Sequence, residues 1–486
     1  MRAFWEGVAE VWPHIAVVLT LFVSVVTSGY VILYKRDSRS AIIWVVFIWL
    51  MPLLGALVYL GFGVNRVRLR ARALRGKSGW YQPVPPTEVC LPEHSGRALP
   101  KEFVHLRPLA EFLGKVAEKP IEPGNQFKLL VNGDEAYPEM LRALDAAEKT
   151  ITFCTYIFDN DRWGKRFAEA LGRAVKRGVK VRVLIDDAGA RYSWPSIVKY
   201  LRSLEVPVVR FLPTFAPWRL MTMNLRNHRK VVVVDGRIGF TGGMNIRQGH
   251  VIKEGGKKLV QDLHFLIEGP VVRQLQEAFA EDWFFTTRKR LEGEEWFPPL
   301  ARKGTVFARA LVAGPDKHFE KLRWAIQGAL ACAQKSVRIV TPYFIPDQSL
   351  ISALNVTAMR GVTVDIIMPS QNNLPPVDWA SRAMWWQVLE RGCRIWLTPP
   401  PFDHSKLLLV DDLWAMIGSA NWDPRSLRLN FELNVECYGG DLAGQVGEII
   451  EKKRRTARQI SLEEMDRRPL AIRLRDGLAR LLSPYL

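Results

Sequence analysis

A block of helix and strand occurs twice in this chain, and no other feature narrows its fold as far. The first copy begins with a helix containing Met140, Leu141 and Leu144. A strand at 150–158 and a helix at 163–177 follow, then Arg177-Gly178-Val179-Lys180-Val181-Arg182-Val183-Leu184-Ile185-Asp186. The second begins with a helix containing Leu322, Ile326 and Leu330. A strand at 336–345 and a helix at 347–360 follow, then Arg360-Gly361-Val362-Thr363-Val364-Asp365-Ile366-Ile367-Met368. Arg177-Gly178-Val179 and Arg360-Gly361-Val362 stand at nearly the same offset as Tyr156 and Tyr343. Offsets this similar mark a duplication rather than two unrelated domains. Alternating helix and strand predicts an α/β layered domain in each copy. The strands are near-continuous Val, Ile and Leu, so both faces of each sheet are covered. Hydrophobic residues at 48% and charged residues at 24% exclude a disordered or collagen-like chain.

A sharper pattern sits at matching points of the copies. Asn227-His228-Arg229-Lys230-Val231-Val232-Val233-Val234-Asp235 and Asp403-His404-Ser405-Lys406-Leu407-Leu408-Leu409-Val410-Asp411 both read H-x-K-x4-D, at an offset close to those above. One chance match is expected about 0.02 times in a chain like this. His and Lys two apart in a strand project to one side. Beyond each strand comes a small-residue turn and an Asn, Thr241-Gly242-Gly243-Met244-Asn245 and Gly418-Ser419-Ala420-Asn421. Small residues let backbone approach an anion, and Asn adds donors. Two His, two Lys and two Asn therefore converge on one phosphate if the halves pack face to face. A single such His is ordinarily a hydrogen-bonded core residue; six polar residues repeating as a set point to shared chemistry. Asp235 and Asp411 complete the motif's catalytic set, though as strand-ending residues they read as structural more than as substrate contacts. His250 and His264 flank a loop without carboxylates at ligand spacing, so no metal is expected. With no P-loop or GxGxxG at a strand–helix junction, no cofactor is expected either.

The N-terminus carries a different signal. Residues 11–34 and 40–65 hold no charge. Each window exceeds the roughly 20 residues that cross a bilayer. A two-helix transmembrane hairpin is therefore expected, with spans near 11–33 and 41–63, turned at Lys35-Arg36-Asp37-Ser38-Arg39. Pro52 and Gly55 fall in the second span, where membrane helices tolerate them. A cleaved signal peptide fits poorly, because no small-residue cleavage site follows and a second span comes at once. Arg2, Arg66, Arg68, Arg70, Arg72, Arg75 and Lys77 outnumber Lys35, Arg36 and Arg39 of the loop. That predicts both ends, and the body that follows, on the cytoplasmic side of the membrane. The run after the second span serves as an anionic-lipid contact or as solubilising charge. The net charge of +19 favours a polyanionic partner, an anionic membrane or nucleic acid. Five Cys, odd in number and without CxxC, exclude a disulfide framework and a zinc finger.

The rest of the chain divides by composition. Residues 66–126 read as a basic juxtamembrane segment and a Pro-rich linker with one helix near 105–118. Residues 127–300 and 301–486 hold the two copies. The chain ends in an amphipathic helix with Leu470, Leu474, Leu478, Leu481 and Leu482 on one face. Arg467, Arg468, Arg473, Arg475 and Arg480 lie elsewhere on it. It suits a membrane surface or a helix docked on the body. Trp379, Trp385 and Trp386 line a lipid access route or belong to the core.

The paired motifs resemble those of the phospholipase D superfamily, and nearly the whole chain is similar to membrane-anchored bacterial cardiolipin synthases. Trp44 through Pro52-Leu53-Leu54-Gly55 to Tyr59-Leu60-Gly61-Phe62-Gly63 resembles their second anchor. Arg226-Asn227-His228-Arg229-Lys230 with Thr241 to Asn245 resembles their first motif. Asn421 through Arg425-Ser426-Leu427 to Asn430-Phe431-Glu432 resembles their second, and Leu481-Leu482-Ser483-Pro484-Tyr485-Leu486 their ending. Gln261-Asp262-Leu263-His264 departs from the family, which has an aromatic before the Asp and a hydroxyl residue after it. The departure bears on substrate preference, not on reaction class.

The resemblance implies two phospholipase D-like α/β/α sandwich domains packed about a pseudo-two-fold axis. It implies metal-independent transfer of a phosphatidyl group between two phosphatidylglycerols, giving cardiolipin and glycerol through a phosphatidyl-histidine. Family analogy makes His228 the nucleophile and His404 the acid and base; the residues themselves allow either order. Lys230, Lys406, Asn245 and Asn421 would stabilise phosphoryl charge. Asp262 and Glu432, each following its His within the same copy, would fix the tautomers. The same residues also suit a phospholipase releasing phosphatidic acid, or a nuclease. The membrane hairpin and the lack of a nucleic-acid module stand against the nuclease.

Overall fold

The computed structural model describes residues 2–35, 37–63, 96, 99–213, 225–256, 258–315 and 319–483. The basic run at 66–77, residues 78–95, 97 and 98 of the Pro-rich linker and the ending Pro484-Tyr485-Leu486 lie outside the described residues. The chain forms two compact units, Met1–Arg70 and Ala71–Leu486.

In the first unit, α1 (Arg2–Tyr34) contains an apolar stretch of 23 residues, Trp12–Tyr34, with mean hydropathy 2.3. It is long enough to cross a bilayer. Asp37 caps α2 (Ser38–Leu50), its carboxylate accepting the Ser40 N–H at 3.0 Å. The second uncharged window departs from expectation, because it is not one helix. Met51 leaves the helical region at φ −136°, ψ 74°, and α3 (Pro52–Val58) starts afresh. Pro52 is the cause: it has no N–H to bond backwards, and its ring crowds the residue before it. The 13 residues of α2 reach only about 20 Å, against a hydrocarbon core of about 30 Å.

The chain then doubles back. A Cβ on Gly55 would stand 2.8 Å from the Ile48 Cα, so only glycine fits there. The rings of Trp44 and Tyr59 lie 5.2 Å apart; in one straight helix they would be about 22 Å apart. Val31, Ile48 and Tyr59 bury together. The Lys35 ammonium donates to the Gly63 carbonyl at 2.9 Å. Gly63 thus returns to the end at which α1 finishes. Val18, Phe22, Leu33, Ile43 and Leu57 face outward, as lipid-facing side chains do.

In the second unit the repeat becomes two half-sheets. The first holds β1 (Glu122–Val131), β2 (Thr150–Thr155), β3 (Lys180–Asp186), β4 (Val208–Phe211), β5 (Val231–Val234), β6 (Ile238–Gly242) and β8 (Leu263–Glu268). The second holds β9 (Val306–Ala313), β10 (Ser336–Val340), β11 (Thr363–Pro369), β12 (Arg394–Thr398), β14 (Leu407–Val410), β15 (Trp414–Gly418), β16 (Glu432–Tyr438) and β17 (Arg458–Ile460). The short β7 (Val260–Gln261) and β13 (Phe402–Asp403) pair with each other. The large sheet runs β17-β12-β11-β10-β14-β15-β16-β9-β1-β8-β6-β5-β2-β3-β4. Outward from the β1–β9 junction the halves match strand for strand, down to parallel pairing of β2–β3–β4 and of β10–β11–β12, and β17 adds one antiparallel strand beyond β12. The halves therefore join edge to edge, through antiparallel β1 and β9, rather than face to face.

Helices bury both halves. The helix expected in the linker, α4 (Arg107–Ala117), is part of a core. Its Leu109 and Leu113 pack with Leu322, Ile326 and Leu330 of the second half. Its apolar spacing of three and four residues provides that face. In the first half, α5 (Asn132–Ala146) and α6 (Arg162–Lys176) pack Tyr137, Met140, Phe167 and Leu171 onto Phe153 and Val183. β1 begins at Glu122, so the first half starts before residue 127.

Candidate active site

Each motif histidine is strapped to the opposite half. The His228 N–H donates to the Phe431 carbonyl at 2.9 Å, and the Phe431 N–H donates to the Arg226 carbonyl at 2.8 Å. The His404 N–H donates to the Gln261 carbonyl at 2.8 Å, at the end of the β13–β7 pairing. The residue following each acceptor is a carboxylate. Glu432 Oε2 lies 3.0 Å from His228 Nδ1, and Asp262 Oδ2 lies 2.7 Å from His404 Nδ1. The expected pairing of each His with the carboxylate downstream in its own half is therefore corrected. The straps force the exchange, because they set each His beside the residue before the other half's carboxylate. With Nδ1–H given to the carboxylate, Nε2 carries the reactive lone pair or proton.

The remaining motif groups gather around these pairs. Tyr156 packs edge-on to His228 with ring centres 5.1 Å apart, and Tyr343 does the same to His404 at 6.4 Å. The Lys230 ammonium donates to the His228 carbonyl at 2.7 Å and lies 5.6 Å over the Tyr156 ring. Lys406 donates to the His404 carbonyl. The Asn245 amide oxygen accepts the Ile157 N–H at 3.0 Å, which leaves its NH2 end as donor. Asn421 is buried, and its amide oxygen has no hydrogen-bond partner among the described residues.

Asp235 and Asp411 are not with them. Each sits at the far end of its strand, about 13 Å of chain away from the histidine end. Asp235 accepts the N–H groups of Glu148, Lys149 and Thr150 at 3.0, 2.7 and 2.8 Å. Asp411 accepts those of Gln334, Lys335 and Ser336 at 2.9, 2.7 and 2.9 Å. The Asp of the motif thus holds the loop before β2 or β10, the structural part that its strand-end position suggests.

Burial governs the electrostatics. It pulls the His228 imidazole below its usual value against the pull of Glu432. His404 falls well below its usual value, through burial and then the charges of Lys406 and Lys230. Burial lowers Lys230 to about 7 and Lys406 to about 8. Burial also raises the Asp262 carboxyl, whereas His228, Lys230 and the Ser419 hydroxyl hold Glu432 below its usual value despite burial. Neutral imidazoles beside mobile ammonium protons form a site ready for an anion. A phosphodiester arriving there would favour the charged form of every one of these bases.

Several supporting residues escape sequence reasoning. Arg229 is buried, bonded to Asp282 at 2.7 Å and to the Glu432 carbonyl at 3.2 Å, so it ties the first motif to the second half. Ser419 and Asn430 donate to Glu432, the latter at 3.1 Å. Asp186, raised by burial to about 6, accepts the Asn227 N–H at 2.8 Å. Arg229, Ser419 and Asn430 stand inside the motif stretches with nothing local to show their partners, and the tyrosines carry a shared offset. His250 and His264 are both buried near Asp262, lowered by burial to about 3 and about 4.

Comparison with known proteins converges on one group. The family model described as cardiolipin synthase, PLD-like domain, matches residues 140–283 and again 326–454. The model described as phospholipase D-nuclease N-terminal matches 17–63. A cardiolipin synthase of Geobacillus kaustophilus is 30% identical, over 100% of this chain and 96% of its own. One from Geobacillus sp. (strain WCH70) is 32% identical over 99% and 95%. Cardiolipin synthase 1 of Staphylococcus epidermidis is 30% identical over 97% and 98%. The crystal structure of phosphatidylserine synthase from Haemophilus influenzae superposes with a TM-score of 0.62 at 17% identity, over 78% of this chain and 100% of that one, a likeness of fold.

Proposed function

The chain belongs to the cardiolipin synthase family of phospholipase D-like proteins, and from that premise we propose that it makes cardiolipin and glycerol from two phosphatidylglycerols. The observation that carries the mechanism is the crossed pair of histidine–carboxylate contacts. His228 Nε2 attacks the phosphorus of the first phosphatidylglycerol. The bond from phosphorus to the glycerol head group breaks, and the departing oxygen takes a proton from His404 Nε2, which gains it from solvent as the bound phosphodiester raises the imidazole from its low free-enzyme value. Glycerol leaves, and a phosphatidyl group remains on His228. His404 Nε2, now neutral, takes a proton from a head-group hydroxyl of the second phosphatidylglycerol. That oxygen attacks phosphorus, the P–N bond breaks, and cardiolipin forms. Lys230, Lys406, Asn245 and Asn421 are the groups assigned to the phosphoryl oxygens. Glu432 and Asp262 hold the rings and offset the imidazolium charge.

The test is direct. Detergent-purified protein is given phosphatidylglycerol alone, and lipid products are identified by mass spectrometry. Cardiolipin from the intact protein, absent with His228→Ala and with His404→Ala, is expected. Phosphatidic acid without cardiolipin would replace transfer with hydrolysis.

The proposal extends to membrane placement. A single span by α1, with α2–α3 as a re-entrant hairpin, puts Lys35 and Arg39 on the side where the chain leaves at Gly63. The sequence that follows adds Arg66, Arg68, Arg70, Arg72, Arg75 and Lys77, and only Arg2 precedes the span. That asymmetry exceeds the one for two spans and makes the Gly63 side cytoplasmic. The catalytic body is then cytoplasmic and the N-terminus is on the opposite side.

A further inference from the structure

The last described helix, α7 (Leu470–Leu481), turns its leucines away from the body. What it buries is Asp476 and Ala479. The Asp476 carboxylate takes hydrogen bonds from Arg468 at 2.9 Å and from Arg475 at 3.0 and 2.7 Å. The Arg475 guanidinium in turn lies 4.6 Å over the ring of Trp379, on the helix Pro375–Arg382. On the opposite face Leu470, Leu474, Leu478 and Leu481 are 70, 59, 66 and 69% exposed. Their spacing makes one stripe along the helix, the kind that ordinarily faces a core. Leu374 and Trp386 are exposed on the flanking segments. Arg467, Arg473 and Arg480 are exposed on the same helix or just before it.

This surface is close to the chemistry. Ala479 buries with Tyr343, Ile345, Val377 and Ala380, and Phe402 packs against that cluster. The rings of Tyr343 and Phe402 lie 6.4 and 6.0 Å from His404. One layer of side chains thus separates the leucine-bearing helix from a motif histidine.

We propose that α7 and the helix beneath it form a docking surface for an anionic phospholipid bilayer. The leucine stripe enters the interface, the arginines take lipid phosphates, and the bilayer surface is brought up to the His404 side of the site. Charge selects this occupant: exposed arginines border an exposed apolar stripe, the pattern of an interfacial helix. The inference assigns the helix a role in substrate delivery that the reaction proposed above does not require.

The test uses the full-length protein with Cys90 and Cys332 changed to Ser. Nitroxide labels are placed through Leu474→Cys, Leu478→Cys and, as control, Lys165→Cys. In vesicles of phosphatidylglycerol and phosphatidylcholine, the first two labels are expected to relax with oxygen and be shielded from a water-soluble nickel chelate. The control is expected to do the reverse. Equal access of nickel to all three overturns the proposal. So does shielding that persists in detergent and grows with protein concentration, which means a second copy covers the leucines. This readout needs no turnover, so it fails separately from the reaction. In parallel, Leu474→Glu with Leu478→Glu is expected to raise KM for vesicle phosphatidylglycerol about tenfold. Turnover of a monomeric short-chain phosphatidylglycerol stays unchanged. An unchanged vesicle KM overturns the proposal.

Discussion

Lys230 and Lys406 set the pH range in which the site works. In the free enzyme their charge is lost as pH rises through about 7 and about 8. kcat/KM, which reports the free enzyme, is expected to fall over that interval. The limb in kcat lies higher, because a bound phosphodiester favours the ammonium forms. On the acid side, His228 is held below its usual value, so the nucleophile stays neutral and the acid limb falls below about 6.5. Steady-state profiles on phosphatidylglycerol in mixed micelles check this, and an alkaline limb that begins only above about 10 would remove the lysines from the account. The carboxylates give a second residue-scale prediction. Glu432→Gln and Asp262→Asn keep the shape of each contact but no longer offset an imidazolium. Each is expected to lower kcat by about 100-fold to 10,000-fold with little change in KM.

Elements explain which parts of this site the sequence displays. H-x-K-x4-D is legible because it is local: His and Lys share one face of a strand, and an apolar run fixes that strand in the sheet. The partners are not legible, because Glu432 lies 204 residues beyond His228 and Asp262 lies 142 before His404. Only the backbone straps decide that they cross. Pro52 signals the break at Met51, yet the uninterrupted apolar run around it reads as one span. Gly55 reads in the sequence as a tolerated membrane glycine, whereas the close approach to Ile48 is its reason. α4 shows the same effect, since prolines around it mark a connector while its own leucines enter a core. At this scale Asp235 and Asp411, at φ 51° and 54°, act as loop holders. Asp235→Ala and Asp411→Ala are each expected to cost about 1–3 kcal/mol of stability. The melting temperature should fall by a few degrees, while folded protein keeps near-normal kcat. A large loss of kcat at unchanged melting temperature would return these residues to the chemistry.

The whole molecule is a duplicated body whose paired motifs come together from both copies, attached to an anchor for which one membrane crossing is proposed. The repeat makes the fold legible from its offsets; edge-to-edge joining through β1 and β9 needs the structure, since neither strand carries a motif. For the anchor, a cysteine at Gly7 is expected to react with an impermeant maleimide added to intact cells, and one at Ser40 to stay protected. Protection at Gly7 with reaction at Ser40 would restore two spans. The central claim is that the two halves share one covalent transfer site, and trapping the covalent step tests it most directly. His404→Ala, mixed with a phosphatidyl ester of p-nitrophenol, whose leaving group departs without a proton, should carry one phosphatidyl group on the peptide containing His228, mapped by mass spectrometry. His228→Ala should carry none. An adduct on His404 of the His228→Ala protein, or cardiolipin formed with no adduct on either histidine, would contradict the account.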